Sequence, residues 1–190
     1  MIYPCKYRTY GCTETFDQDK IVGHQVKCVY SQQVCPVGTL AIGVCSWSGS
    51  YKDMKVRLKE NHFEGCCEYV EGDVKFIYNL TGGVNLYCFM FAYNEIFFSL
   101  FQERDDIFYA VVLCVGPAEI AAKYKYRVEF SNNSNTEGVT VMHLTRSSEE
   151  NLVDIYRLGH CGKLHFDVVS RLADKMSKLK YKIEILKVGD

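Results

Sequence analysis

Cys5-Lys6-Tyr7-Arg8-Thr9-Tyr10-Gly11-Cys12, then eleven residues, then His24-Gln25-Val26-Lys27-Cys28, is the stretch that decides the fold. The spacing is Cys-x6-Cys-x11-His-x3-Cys. The first two cysteines flank a turn marked by Tyr10-Gly11. Residues 17–27 read as a short helix with Asp17 at its N-cap. His24 and Cys28 then stand one turn apart on one helix face. Three thiolates and one imidazole form a soft, tetrahedral donor set of the kind that holds zinc in a closed structural site.

Working outward, the pattern recurs in rough form. Cys35 and Cys45 form a wider pair, with Trp47 two residues on. Residues 50–62 read as a second helix: Ser50 can cap it, Asp53 suits its first turn, and Met54 and Leu58 share a face. His62 follows at its end. Twelve positions after Cys45, where the first unit has its histidine, stands Arg57, whose guanidinium stays protonated and cannot ligate a metal. Cys66 follows His62 at the x3 spacing that separates His24 from Cys28. The second set is therefore Cys35, Cys45, His62 and Cys66, with Cys67 as the alternative fourth ligand. Units this small bury little apolar surface, so metal supplies much of their folding free energy. Two zinc ions per chain are expected.

Composition narrows the function. The 190 residues carry a net charge of −1, and 48% of them are hydrophobic. Residues 1–67 hold 8 basic and 6 acidic residues, too even a mixture for phosphate neutralisation along a nucleic acid. The run Lys52, Lys55, Arg57, Lys59 reads as a solvated helix face. No nucleic-acid partner is expected. Ten cysteines are many, and five precede residue 46. Met1–Cys5 lacks the apolar run of a secretory leader, so reduced, partly metal-bound thiols in the cytoplasm or nucleus are expected rather than disulfides. Residues 86–101 are strongly apolar but short for a membrane span and are interrupted by Asn94-Glu95. No membrane partner is expected. Asn79-Leu80-Thr81 and Asn132-Asn133-Ser134 read as turns. His62 beside Cys66 and Cys67, and the group His143, His160, Cys161, His165, lack the elbow or oxyanion loop of a Cys/His hydrolase. No catalytic residue is assigned.

From residue 68 the character changes. Aromatic and β-branched residues alternate with polar ones over 74–78, 84–93, 95–101, 106–115, 124–130, 139–145, 163–166 and 180–187, separated by turn signals such as Thr81-Gly82-Gly83 and Gly116-Pro117. Short strands at close spacing predict an antiparallel β-sandwich. One helix is expected over 168–178, capped by Asp167 with Leu172 and Met176 inward, and a shorter one over 118–123. The fold class is thus mainly β, with small α+β zinc fingers: tandem fingers over 1–67, then a sandwich over 68–190.

Cys5-x6-Cys12-x11-His24-x3-Cys28, Cys35-Pro36, Cys45-x-Trp47-x-Gly49-Ser50 and a helix ending at His62 resemble the paired zinc fingers of the seven-in-absentia (SIAH/SINA) family. Phe108-Tyr109-Ala110-Val111-Val112-Leu113-Cys114-Val115-Gly116, Tyr126-Arg127-Val128-Glu129-Phe130 and Phe166-Asp167 extend the resemblance over nearly the whole chain. The resemblance implies a TRAF-like sandwich, homodimerisation or heterodimerisation with family members, and binding of degron peptides so that substrate proteins are ubiquitinated. By rough correspondence the peptide groove falls at Val84, Asn85, Leu86 and Cys88, without the tryptophan typical of the family. Arg57 stands where the family has a zinc-ligating histidine. The family's catalytic partner is a RING finger, and this sequence contains no Cys-x2-Cys pair. The chain is expected to be a recognition module without ligase activity of its own. The alternatives are a regulator or adaptor that competes with full-length relatives and, more remotely, a nucleic-acid-binding finger protein.

Overall fold

The computed structural model describes residues 1–40, 43–62, 66–67, 74–79 and 86–189; for 66–67, 74–79 and Leu86 it describes the backbone alone. The chain divides into two compact units, Met1–Glu64 and Gly65–Asp190.

The first unit repeats a hairpin followed by a helix. Strand β1 (Ile2–Pro4) pairs antiparallel with β2 (Thr15–Asp17), Tyr3 opposite Phe16. Between them a 3-10 turn (Arg8–Tyr10) ends at Gly11, whose φ of 107° lies in the left-handed region that glycine adopts without strain. Helix α1 (Gln18–Val26) starts from Asp17, whose side chain makes no capping hydrogen bond. None of its residues is buried. A helix this short is marginal in water without tertiary support, so its hold on the unit comes from its ends. The second half has β3 (Gln32–Val34), α2 (Pro36–Thr39), β4 (Ser48–Ser50) and α3 (Tyr51–Asn61), with β3 and β4 antiparallel. Pro36 sits in the first turn of α2, where its missing N–H costs nothing. Met54 and Leu58 on α3 are fully buried, as their i, i+4 spacing predicts. Ser50 holds the N-cap of α3, but its hydroxyl donates to the Asp53 carboxylate instead of accepting a backbone N–H. The halves are tied together where the N–H groups of Tyr51 and Lys52 donate to the carbonyls of Ser31 and Val29, each at 2.9 Å.

In the second unit the elements are β5 (Cys66–Cys67), β6 (Val74–Asn79), β7 (Leu86–Ala92), β8 (Glu95–Arg104), β9 (Ile107–Cys114), α4 (Ala118–Ala121), β10 (Tyr124–Ser131), β11 (Gly138–Leu144), β12 (Arg146–Ser147), α5 (Leu152–Leu158), β13 (Gly162–His165), α6 (Phe166–Leu172) and β14 (Lys178–Lys187). Among the described residues they form a four-stranded antiparallel sheet, β11-β10-β14-β6, and a second sheet, β12-β9-β8-β7-β5, with β13 also on β9. The outer side of β9 is shared end to end. Antiparallel β13 covers Ile107–Ala110, and parallel β12 covers Leu113–Cys114.

Alternation along β10 explains the packing. Tyr124, Tyr126, Val128 and Phe130 are buried while Lys125, Arg127 and Glu129 are not, the period-two pattern of a strand with one face on the core. Phe101 of the second sheet meets Phe130 and Tyr181 of the first edge-on, with centroids 5.6 and 4.8 Å apart. Tyr126 donates its hydroxyl to the Ala110 carbonyl at 2.8 Å, so the buried phenol oxygen is satisfied across the sandwich.

One helix expectation changes, and one helix is additional. The helix expected over 168–178 is instead α6, which begins at Phe166 and ends at Leu172. Asp174 then accepts backbone N–H groups from Met176 (2.8 Å) and Lys178 (2.9 Å), and Ser177 takes a left-handed φ of 58°. This aspartate-centred turn stops the helix and launches β14. Leu172 is buried, but Met176 is 69% exposed. Helix α5 was not expected, although its signals were present: Asn151 caps it by accepting the Val153 N–H at 2.8 Å, and Gly159 closes it at a left-handed φ of 74°.

Candidate metal centres

The fold of the first unit brings the spaced cysteines and histidines together. The Sγ atoms of Cys5, Cys12 and Cys28 and a ring nitrogen of His24 all lie within 4.8 Å of one another. The β1–β2 hairpin delivers Cys5 and Cys12 at the two ends of its turn, the last turn of α1 delivers His24, and the segment after it delivers Cys28. The three thiols are almost wholly buried, and Tyr7 and Tyr30 pack against them. Those cysteines are therefore the core of this half. The Tyr7 N–H points at Cys5 Sγ at 3.5 Å, and the His24 ring rests on Phe16 with centroids 4.5 Å apart.

The donor distances test the fit to zinc. Zn–S bonds of about 2.3 Å and Zn–N bonds of about 2.0–2.1 Å in a tetrahedron require edges of about 3.8 Å (S···S) and about 3.6 Å (S···N). The Cys5–Cys28 sulfur separation is 3.9 Å, and Cys12 Sγ lies 3.4 Å from His24 Nε2. A disulfide needs sulfurs about 2.0 Å apart, so Cys5 and Cys28 are not paired in one. The residues fit zinc.

The second group joins Cys35, Cys45 and His62, again with all donor atoms within 4.8 Å of one another. Cys35 Sγ is 3.4 Å from His62 Nε2. Cys35 sits at the N-cap of α2, and its N–H donates to the Trp47 carbonyl at 3.0 Å, which draws the Cys45 segment alongside. His62 directly follows α3. Gly38 explains how closely the two cysteine segments approach. A Cβ built there would stand 2.0 Å from the Cys45 carbonyl oxygen. Cys66 lies in β5, and its side chain and that of Cys67, the expected fourth ligands, lie outside the described residues.

Burial pushes the Cys28 thiol up to about 11, opposed by a backbone hydrogen bond at Tyr30, with Cys12 and Cys5 adding to the rise. Burial likewise pushes Cys35 up to about 11. Cys45 differs. Burial also acts to raise it, but the Trp47 backbone, Cys35 and the Arg57 guanidinium outweigh burial and lower it. His62 is lowered by burial and then by Arg57. Thus Arg57, which stands at the spacing where the first unit has its histidine, acts on both Cys45 and His62. Its Nε is buried and has no hydrogen-bond partner among the described residues.

Of the expected groove residues, Val84 and Asn85 lie outside the described residues, and Leu86 is described by its backbone alone, at the start of β7. Cys88 is buried and donates its thiol to the Phe89 carbonyl at 3.4 Å. On its side away from β8, β7 is paired over Phe89 and Met90 by β5.

Comparison with known proteins gives the same picture. Residues 1–76 match the family described as "Sina, zinc finger". An E3 ubiquitin-protein ligase siah2 of Xenopus laevis is 26% identical over 141 residues, covering 70% of this chain and 44% of its own length. An E3 ubiquitin-protein ligase sina of Schistosoma mansoni is 28% identical over 140 residues, 70% of this chain and 37% of its own length. An E3 ubiquitin-protein ligase siah-1 of Caenorhabditis briggsae is 30% identical over 142 residues, 69% of this chain and 32% of its own length. The chain spans less than half the length of these relatives. The zinc-finger match and the two Cys/His groups identify a zinc-binding chain with two sites.

Proposed function

Because the chain belongs to the SIAH/SINA family, we propose that it is a substrate-recognition module acting in ubiquitin-dependent protein degradation. The observation that carries the reading is the pair of zinc-competent Cys/His groups inside the segment that matches the Sina zinc finger. Cys5, Cys12, His24 and Cys28 hold the first zinc, and Cys35, Cys45 and His62 hold the second, with Cys66 kept as its fourth ligand on spacing alone. Both are structural centres that fix the fingers. The unit over 68–190 is a TRAF-like sandwich that dimerises with itself or with relatives and takes an extended degron peptide beside β7. An added strand gains affinity from main-chain hydrogen bonds and specificity from side-chain pockets. Because Cys88 is buried, it meets the peptide through its main chain, and Val84, Asn85 and Leu86 supply the pockets. The module acts in the cytoplasm or nucleus, by itself builds no ubiquitin chains, and competes with or adapts substrates for ligases of the family.

The test is a titration of the zinc-loaded protein with a fluorescent Pro-x-Ala-x-Val-x-Pro peptide, the kind of degron that the family resemblance implies. Saturable binding in the micromolar range, abolished by Leu86→Arg in a protein that keeps its zinc, is the expected result. No binding by a folded, zinc-loaded sample removes the peptide-recognition claim. E2-dependent ubiquitin chain formation by this polypeptide alone would refute the non-catalytic role.

A further inference from the structure

The outer face of the four-stranded sheet carries charge opposite in sign to that of its unit. Gly65–Asp190 holds 14 basic and 17 acidic residues, a net −3. Along β14, Leu179, Tyr181, Ile183 and Ile185 are buried, so Lys178, Lys180, Lys182 and Glu184 stand on the side away from the core. On neighbouring β10 the outward residues are Lys125, Arg127 and Glu129. Five of these seven are basic, a net +3 on one face of an acidic unit. Register sets Arg127 opposite Glu184, with which it forms an ion pair, and Glu129 opposite Lys182. The surplus therefore falls on Lys125, Lys178 and Lys180. Lys180 donates to Asn135 Oδ1 at 2.8 Å, a neutral group that leaves the ammonium charge uncompensated. At the other end of the same face, on β11, Met142 and Leu144 stand opposite Arg127 and Lys125 and are 52% and 49% exposed.

We propose that this face docks an acidic segment of a partner protein, its carboxylates over Lys178 and Lys180 and an apolar side chain on Met142 and Leu144. The lysines supply charge complementarity, which speeds encounter and fixes register. The two exposed apolar side chains supply the area that charge alone does not. The geometry sets the length of the segment. Lys180 lies four residues along the sheet from the row of Glu184, Arg127 and Met142, and β14 is two strands from β11. At about 3.4 Å per residue and about 4.8 Å per strand the diagonal is about 17 Å, the span of about five extended residues. A nucleic acid fits the face less well, because its unbroken line of phosphates would run against Glu129 and Glu184. The proposal is independent of the peptide groove beside β7.

The test is an anisotropy titration of the zinc-loaded chain with a fluorescent peptide that carries a run of glutamates, a short Gly-Ser spacer and a pair of leucines. Saturable binding is expected, weakening as salt is added and weakening again when the leucines are replaced by serines. Reversing Lys178 and Lys180 together (Lys178→Glu, Lys180→Glu) should weaken it about tenfold. The same change of net charge made at Lys20 on α1 and Lys163 on β13 should leave it unaltered, as should Leu86→Arg in the groove. Absence of binding by the folded protein overturns the proposal, and so does equal weakening by the two double variants, which would mean attraction to net charge alone. Tighter binding of single-stranded DNA than of the peptide would give the face to a nucleic acid. Loss of self-association in the Lys178, Lys180 double variant, with peptide binding unaltered, would give it to a second copy of the chain; either result overturns the proposal.

Discussion

Single atoms decide the second centre. Gly38 is the sharpest case, since a methyl group there would overlap the Cys45 carbonyl oxygen at 2.0 Å. That oxygen is backbone and cannot swing aside. Gly38→Ala should therefore displace Cys45, cost about 1–3 kcal/mol in the Met1–Glu64 unit, and lower the zinc content from two per chain to one. Metal analysis beside a chemical denaturation curve checks this; two retained zincs with unchanged stability would show that the loop relaxes. The grouping of Cys5, Cys12, His24 and Cys28, and of Cys35, Cys45 and His62, was legible in the sequence because metal-binding residue types are few and their spacing is local. The need for glycine at 38 was not, because the clash comes from a carbonyl seven residues away.

Helix α1 has no burial of its own to hold it. The apolar cluster beside it consists of the Cys5, Cys12 and Cys28 thiols and two tyrosines. Binding free energy at such a site is folding free energy. Chelation should unfold the first finger before the sandwich is affected. The expected signature is loss of amide-exchange protection in α1 and in the β1–β2 hairpin, with protection kept in β8, β9, β10 and β14; simultaneous loss in both sets would contradict it. Strands were the most readable elements. β10, β11 and β14 each lie within a few residues of their alternation in the sequence, because a strand with one buried face repeats its signal every two residues, and β8 and β9, buried on both faces, lie within a few residues of continuous apolar runs. Short helices carry at most two turns of signal. For α6, the Asp174 turn outweighed the apolar spacing of Leu172 and Met176. For α5, the cap residues Asn151 and Gly159 were better guides than hydrophobicity.

At the scale of the whole chain, acidity links the sandwich to its stability. Burial pushes Cys114 up to about 12 and Cys161 to about 11, and it raises Tyr124, Tyr126 and Tyr156 as well. Each of these groups is neutral when protonated, and the unfolded chain gives up its proton first. The stability they represent is present below about pH 9 and is lost as pH climbs through the raised values, about 4 kcal/mol for Cys114 alone. Denaturation midpoints of the Gly65–Asp190 unit should fall steadily above about pH 9, and a flat profile would mean that these groups titrate normally in the folded state. The border of β9 carries a different consequence. One excursion of the chain runs alongside it as β12, turns through α5 and returns as β13, so two short strands of opposite direction seal a line of backbone groups that one long strand would otherwise have to cover. A bare β-edge recruits further copies and is where filaments and inclusion bodies begin. Loosening α5 would unseal it, and a substitution in neither finger would then first be noticed as a protein that no longer stays in solution.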